Sequence, residues 1–119
     1  MSVPHSKSGE MFDVRPLGPA IRDAVTTALV KADGIEVIRL IVPAGKSIPT
    51  HKAKGTMTLL CLEGRIMFET GSRTSELTAG QMLYLPAGEP HAVSGVEDAS
   101  LLLTIWKSPP NQLSQKDES

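Results

Sequence analysis

Three histidines and one cysteine are the side chains best suited to acid–base, nucleophilic or metal chemistry in this 119-residue chain. His5 lies in a polar stretch, MSVPHSKSGE, where solvation is the expected state. His51 closes the run Pro43-Ala44-Gly45-Lys46-Ser47-Ile48-Pro49-Thr50-His51, and His91 closes Pro86-Ala87-Gly88-Glu89-Pro90-His91. Each follows a Pro/Gly turn and precedes a predicted strand, so the two imidazoles can converge at one end of a barrel. An imidazole there can act as general base, hydrogen-bond a polar ligand, or bind a transition metal. The bland alternative is an architectural role, capping turn backbone at the barrel mouth. The aspartates, Asp13, Asp23, Asp33, Asp98 and Asp117, all lie away from both histidines in sequence, which leaves no local His-Asp pair. Cys61 is the sole cysteine, so there is neither an internal disulfide nor a CxxC motif.

The elements that must position these residues read as strands. Glycines at 34, 45, 55, 64, 71, 80, 88 and 95 punctuate the chain at the spacing of short strands joined by turns. Ala24 to Lys31 and Ile35 to Val42 are β-branched runs separated by Ala-Asp-Gly, a tight hairpin signal. Thr56 to Leu62, Arg65 to Glu69, Gln81 to Leu85, His91 to Ser94 and Leu101 to Trp106 bring the expected set to about seven. Gly18 to Ala28 admits a short helix; no other segment has helical period. The fold class is all-β, a sandwich or barrel. Residues 1–10 and 107–119 read as polar tails around a single domain of residues 11–106.

Composition narrows the function. Twelve Lys and Arg against 13 Asp and Glu give a formal charge of −1, so no nucleic-acid partner is expected. The apolar runs are short for a membrane span and the N-terminus lacks an apolar leader; a cytoplasmic protein is expected. Phe12, Phe68, Tyr84 and Trp106 are the only aromatic residues, which disfavours a pocket built to stack on flat bases. TMTLLCL (56–62) and LLLTIW (101–106) are apolar on both faces, whereas an outward barrel face should be polar. A second copy of the chain, making a homodimer, is the favoured cover; an N-terminal strand folding across is the other.

Two stretches carry a family resemblance. Gly45, five residues, His51 and then Gly64 resembles the first motif of the cupin superfamily, GX5HXHX3-4EX6G. Gly80, five residues, Pro86, Gly88 and His91 resembles the second, GX5PXGX2HX3N. With flanking strands the resemblance spans about residues 20 to 106. It implies a cupin-type jelly-roll barrel, the double-stranded β-helix, usually dimeric.

Metal-binding cupins typically use two histidines and a glutamate of the first motif with the histidine of the second. Here His51 and His91 fill two positions, Ala53 stands at the second histidine, Met57 at the glutamate, and Gly95 at the closing asparagine. A catalytic ion normally needs about three protein ligands, and two imidazoles alone make a weak site. Glu63, Glu69 and Glu89 are poorly placed to supply a third. Cys61 would be softer, but it lies ~13 Å along the strand from Met57 at ~3.3 Å per residue. A divalent transition metal (Fe, Mn, Ni or Zn) on His51 and His91 is therefore carried only as an alternative.

Strand alternation lines the expected pocket with Met57, Leu59, Cys61, Met82, Tyr84 and His91, with His51 at the rim. These seven are the expected ligand-binding residues. Lys46, Lys52 and Lys54 surround His51 and would steer an anion toward it, or are simply solvated. Met57, Met67 and Met82 could line a pliable pocket or only fill the core. Two functions follow. One is a module that binds a small molecule without chemistry of its own. The other is a metal-dependent dioxygenase or isomerase acting on a small oxygenated or carboxylated substrate. A metal-free sugar-nucleotide epimerase, which the resemblance also brings to mind, is disfavoured by the scarcity of rings.

Overall fold

The computed structural model describes residues 6–107, so His5 and most of the expected C-terminal tail lie outside the described residues. A 3-10 turn over Gly18–Asp23 precedes seven strands. These are β1 (Thr27–Ala32), β2 (Ile35–Val42), β3 (Ser47–Lys52), β4 (Thr56–Thr70), β5 (Arg73–Thr78), β6 (Met82–Leu85) and β7 (Pro90–Trp106). All pairings are antiparallel.

Two long strands organise the barrel. β4 and β7 pair with each other over nearly their whole length, and each serves both layers. The first half of β4 and the second half of β7 pair with β6 and β2, and β1 extends that layer beyond β2. The other halves pair with β5 and β3. A strand can serve two layers only if it bends, and β4 bends through register shifts between Cys61 and Ile66. Gly64 sits at that bend with φ near +82°, and a Cβ there would lie 2.0 Å from the Asp98 carbonyl oxygen. Only glycine satisfies both demands.

That bend corrects two sequence expectations. Residues 56–62 and 65–69 are one strand, because Gly64 kinks the chain without reversing it, and the same holds for 91–94 and 101–106. The place of the lost strands is taken by β3 and β5. Both are mostly exposed, and their sequences, SIPTHK and RTSELT, lack the apolar alternation that marks a buried strand. The first hairpin turns at Asp33-Gly34 as expected, with Gly34 at φ +83°, although β1 starts at Thr27 rather than Ala24.

Inside, the β2–β7–β4 layer presents its side chains in rows. Ile38, Leu103 and Leu59 form one row, and Leu40, Leu101 and Cys61 the next. Leu59, Cys61, Ile66, Ala99 and Leu101 are at most 1% exposed and belong to the core. On the outside, the N-terminal segment crosses part of the same layer. The backbone N–H groups of Leu17 and Gly18 donate to the Glu63 carboxylate, at 2.8 and 3.1 Å. Ser100 Oγ donates to Glu63 as well, at 2.6 Å, and Arg39 donates to the Asp13 carbonyl at 2.9 Å. Beyond this crossing, Met82, Tyr84 and Trp106 stay largely exposed on the outer face, at 58%, 64% and 45%.

Candidate functional site

The interior holds a cavity of about 310 Å³. Ile38 and Leu40 of β2, Ile48 of β3, Met57, Leu59 and Phe68 of β4, and Val93, Leu103 and Ile105 of β7 give it an apolar wall. Its polar groups are Glu36, His51, Lys52, Lys54 and His91. His51, Lys52 and Lys54 are exposed, so this end meets solvent.

The histidines are direct cross-strand partners on β3 and β7. Their ring centroids lie 4.2 Å apart at 59°. His91 is buried, 4% exposed, and stacks on Phe68 at 5.5 Å. Each imidazole is held by the backbone two residues before it. His51 Nδ1 lies 3.0 Å from the Pro49 carbonyl oxygen, and His91 Nδ1 lies 3.0 Å from that of Glu89. A carbonyl only accepts, so in the neutral ring Nδ1 carries the proton and Nε2 keeps its lone pair. Among the described residues neither Nε2 has a hydrogen-bond partner. The site therefore offers two adjacent, oriented ring nitrogens beside an apolar chamber, each an acceptor in the neutral imidazole and a donor in the imidazolium.

Of the seven expected ligand-binding residues, the fold brings His51, His91, Met57 and Leu59 to the cavity. It places the other three elsewhere. Met82 and Tyr84 face outward, because β6 pairs with β4 in the register Leu60↔Met82 and Thr58↔Tyr84, which puts them on the outer side with Leu60 and Thr58. Leu83 and Leu85 pack on the core instead. A shift of one residue turns every side chain of a strand over, and the four-residue β6 had no flanking pattern to set its phase. Cys61 points inward but sits below the chamber, wholly buried, its thiol aimed at the Glu63 carbonyl at 3.4 Å. Burial pushes its pKa up, so it stays a neutral thiol.

Glu36, Phe68 and Ile105 were not singled out from the sequence. Glu36 was the most legible of the three: it shares the inward alternation of Ile38 and Leu40. Phe68 was hidden because the bend at Gly64 had to be known before its side could be assigned.

The donor set does not fit a divalent ion. The cavity brings two imidazoles together, and among the described residues no group of three or more His, Cys, Asp or Glu side chains could hold a metal. Ala53 and Met57, which stand where the resemblance expects ligands, are 7% and 5% exposed and pack in the core.

Comparison with known proteins sets this geometry in a family. The family described as "Cupin domain" matches residues 38–106, more than half of the chain, and the protein belongs to it. A conserved protein of unknown function from Streptococcus pyogenes is 21% identical, with a TM-score of 0.70 over 92% of this chain and 96% of that one. A cupin from Methanocaldococcus jannaschii with a double-stranded β-helix fold is 17% identical, with a TM-score of 0.68 over 90% of this chain and all of that one. A DMSP lyase, DddQ from Ruegeria pomeroyi, is 22% identical, with a TM-score of 0.64 over 81% of this chain and 53% of that one. At these identities the likeness is one of fold, and the fold is the double-stranded β-helix. No curated protein matches the sequence.

Proposed function

We propose that this protein is a binding module that holds one small molecule, largely apolar and with a polar end, inside the barrel. The observation that carries the reading is the cavity: about 310 Å³, walled by aliphatic side chains, with two imidazole nitrogens at its solvent end that have no partner among the described residues. Apolar burial supplies the affinity of such a pocket, and a few polar groups set the ligand's orientation. The cupin fold also carries enzymes, so fold alone decides nothing about chemistry. What favours binding over metal-dependent turnover is the donor set, with two of four family positions filled by Ala53 and Met57.

The test is titration calorimetry with octan-1-ol on the wild-type protein and on Leu59→Trp, which fills the chamber. Saturable one-site binding to the wild type and at least a tenfold loss in the variant is the expected result. Equal binding to both would place the ligand elsewhere and overturn the reading. Circular dichroism on the variant guards against simple unfolding, since overpacking costs about 1–3 kcal/mol.

We also propose that the module is a homodimer, joined by the outer face that carries Met82, Tyr84 and Trp106. Within the chain, the N-terminal segment anchored at Arg39 and Glu63 leaves these three side chains exposed. An isologous contact would bury the same patch on both copies.

A further inference from the structure

We propose that the ligand's polar end is an anion, and that the chamber takes a monocarboxylate whose compact aliphatic body holds about ten non-hydrogen atoms in all. This rests on the binding reading above and adds the ligand's class to it.

The size follows from the volume. A cavity of about 310 Å³ divided by the share of roughly 30 Å³ that a water-sized group takes in a liquid leaves room for about ten atoms. The apolar body follows from the walls. Ile38, Leu40, Leu59, Val93 and Leu103 offer no hydrogen bond, so a second polar group placed among them would be stranded.

The sign of the head group follows from the charges at the mouth. Lys52 and Lys54 both line the cavity, are exposed, and flank the buried Ala53 next to His51. Among the described residues, neither ammonium has a carboxylate within 4.0 Å. The one carboxylate lining the chamber, Glu36, belongs to β2, and Lys107 Nζ lies 3.8 Å from it. That leaves two unpaired ammonium groups beside the imidazoles and a countered carboxylate. Counting the groups that line the chamber, an anion entering head outward meets net positive charge, while Glu69 and Glu89 line a neighbouring pocket that also reaches His91; a cation would have to displace Lys107. Because the two lysines are exposed, salt should weaken the preference as the Debye length falls from about 8 Å at 0.15 M to about 3 Å at 1 M.

Three probes of one length separate the contributions: octanoate, octan-1-ol and octylammonium, each titrated by calorimetry at low salt. Octanoate should bind at least tenfold more tightly than octan-1-ol, and octylammonium more weakly than either. The double variant Lys52→Gln/Lys54→Gln should abolish the preference for octanoate over octan-1-ol, whereas Lys46→Gln, outside the cavity lining, should leave it as in the wild type. Equal affinity for octanoate and octan-1-ol would overturn the anion and leave the chamber standing. Tighter binding of octylammonium would hand the head group to Glu36 and overturn it too. A preference for octanoate that survives the double variant would remove the lysines from the account. Failure of all three probes would take the binding reading down with the proposal.

Discussion

At the scale of single residues, the site is defined as much by what Ala53 and Met57 are not as by what His51 and His91 are. The backbone carbonyls of Pro49 and Glu89 hold both rings in the tautomer that leaves Nε2 free, the arrangement a metal-ligating histidine also needs. Against the four-ligand pattern of the motif this chain resembles, the differences are Ala53 and Met57, on the β3–β4 connection and at the start of β4. After incubation with Mn(II), Fe(II), Ni(II) or Zn(II) and desalting, the wild type should retain no stoichiometric ion by mass spectrometry. Ala53→His/Met57→Glu, which restores the donor types of the family motif, should retain close to one. Stoichiometric metal on the wild type, lost in His91→Ala, would show that the donor set has been misjudged.

At the scale of elements, the Glu63 carboxylate ties the N-terminal segment to the bend of β4. Desolvation opposes its ionised form, but the N–H of Leu17, the Ser100 hydroxyl, the N–H of Gly18 and the nearby Arg39 charge outweigh that, and its pKa lies below the ordinary 4.5. A carboxyl whose folded pKa is depressed stabilises the fold above its unfolded pKa, and that contribution is lost as pH falls through the folded value. Glu63→Gln should therefore unfold at a lower temperature than the wild type at pH 7, and the gap should shrink as pH is taken below about 4.5. A gap that stays constant with pH would mean that the charge of Glu63 does not hold the segment. Asp13, exposed and paired with Arg15, titrates near 2 in both proteins and cancels in the comparison.

The same scale shows how far the sequence could be read. β-Branched runs bounded by turn residues, such as β2 after Asp33-Gly34, were legible, and so was the placing of the two histidines at strand entries, because turn residues precede each. The polar strands β3 and β5 were not. They are held by pairing with β7 and β4, a non-local cause that leaves no local pattern. Two of the seven expected ligand-binding residues lie outside the cavity for a related reason. Met82 and Tyr84 sit on a four-residue strand whose phase is set by the partner register on β4 rather than by its own sequence.

At the scale of the whole molecule, the two faces of the β2–β7–β4–β6 layer serve two ends. The inner face, with Leu59 and Leu103, walls the chamber; the outer face, with Leu60, Leu102, Met82, Tyr84 and Trp106, is the one proposed to meet a second copy. Light scattering should give a particle of twice 12.7 kDa. Tyr84→Lys should shift it to the monomer while leaving octan-1-ol binding intact. A wild type that stays monomeric at high concentration would leave the outer apolar face without the cover proposed for it.

The alternation of those faces also gives the most direct test of the chamber itself. Methyl-resolved NMR, with octan-1-ol added stepwise, reads Leu59 and Leu60, or Leu102 and Leu103, as neighbours in sequence that point to opposite sides. Saturable shifts are expected at Ile38, Leu59, Leu103 and Ile105, with Leu60 and Leu102 unmoved. Shifts confined to Leu60 and Leu102, or none at any methyl, would contradict the chamber as the binding site.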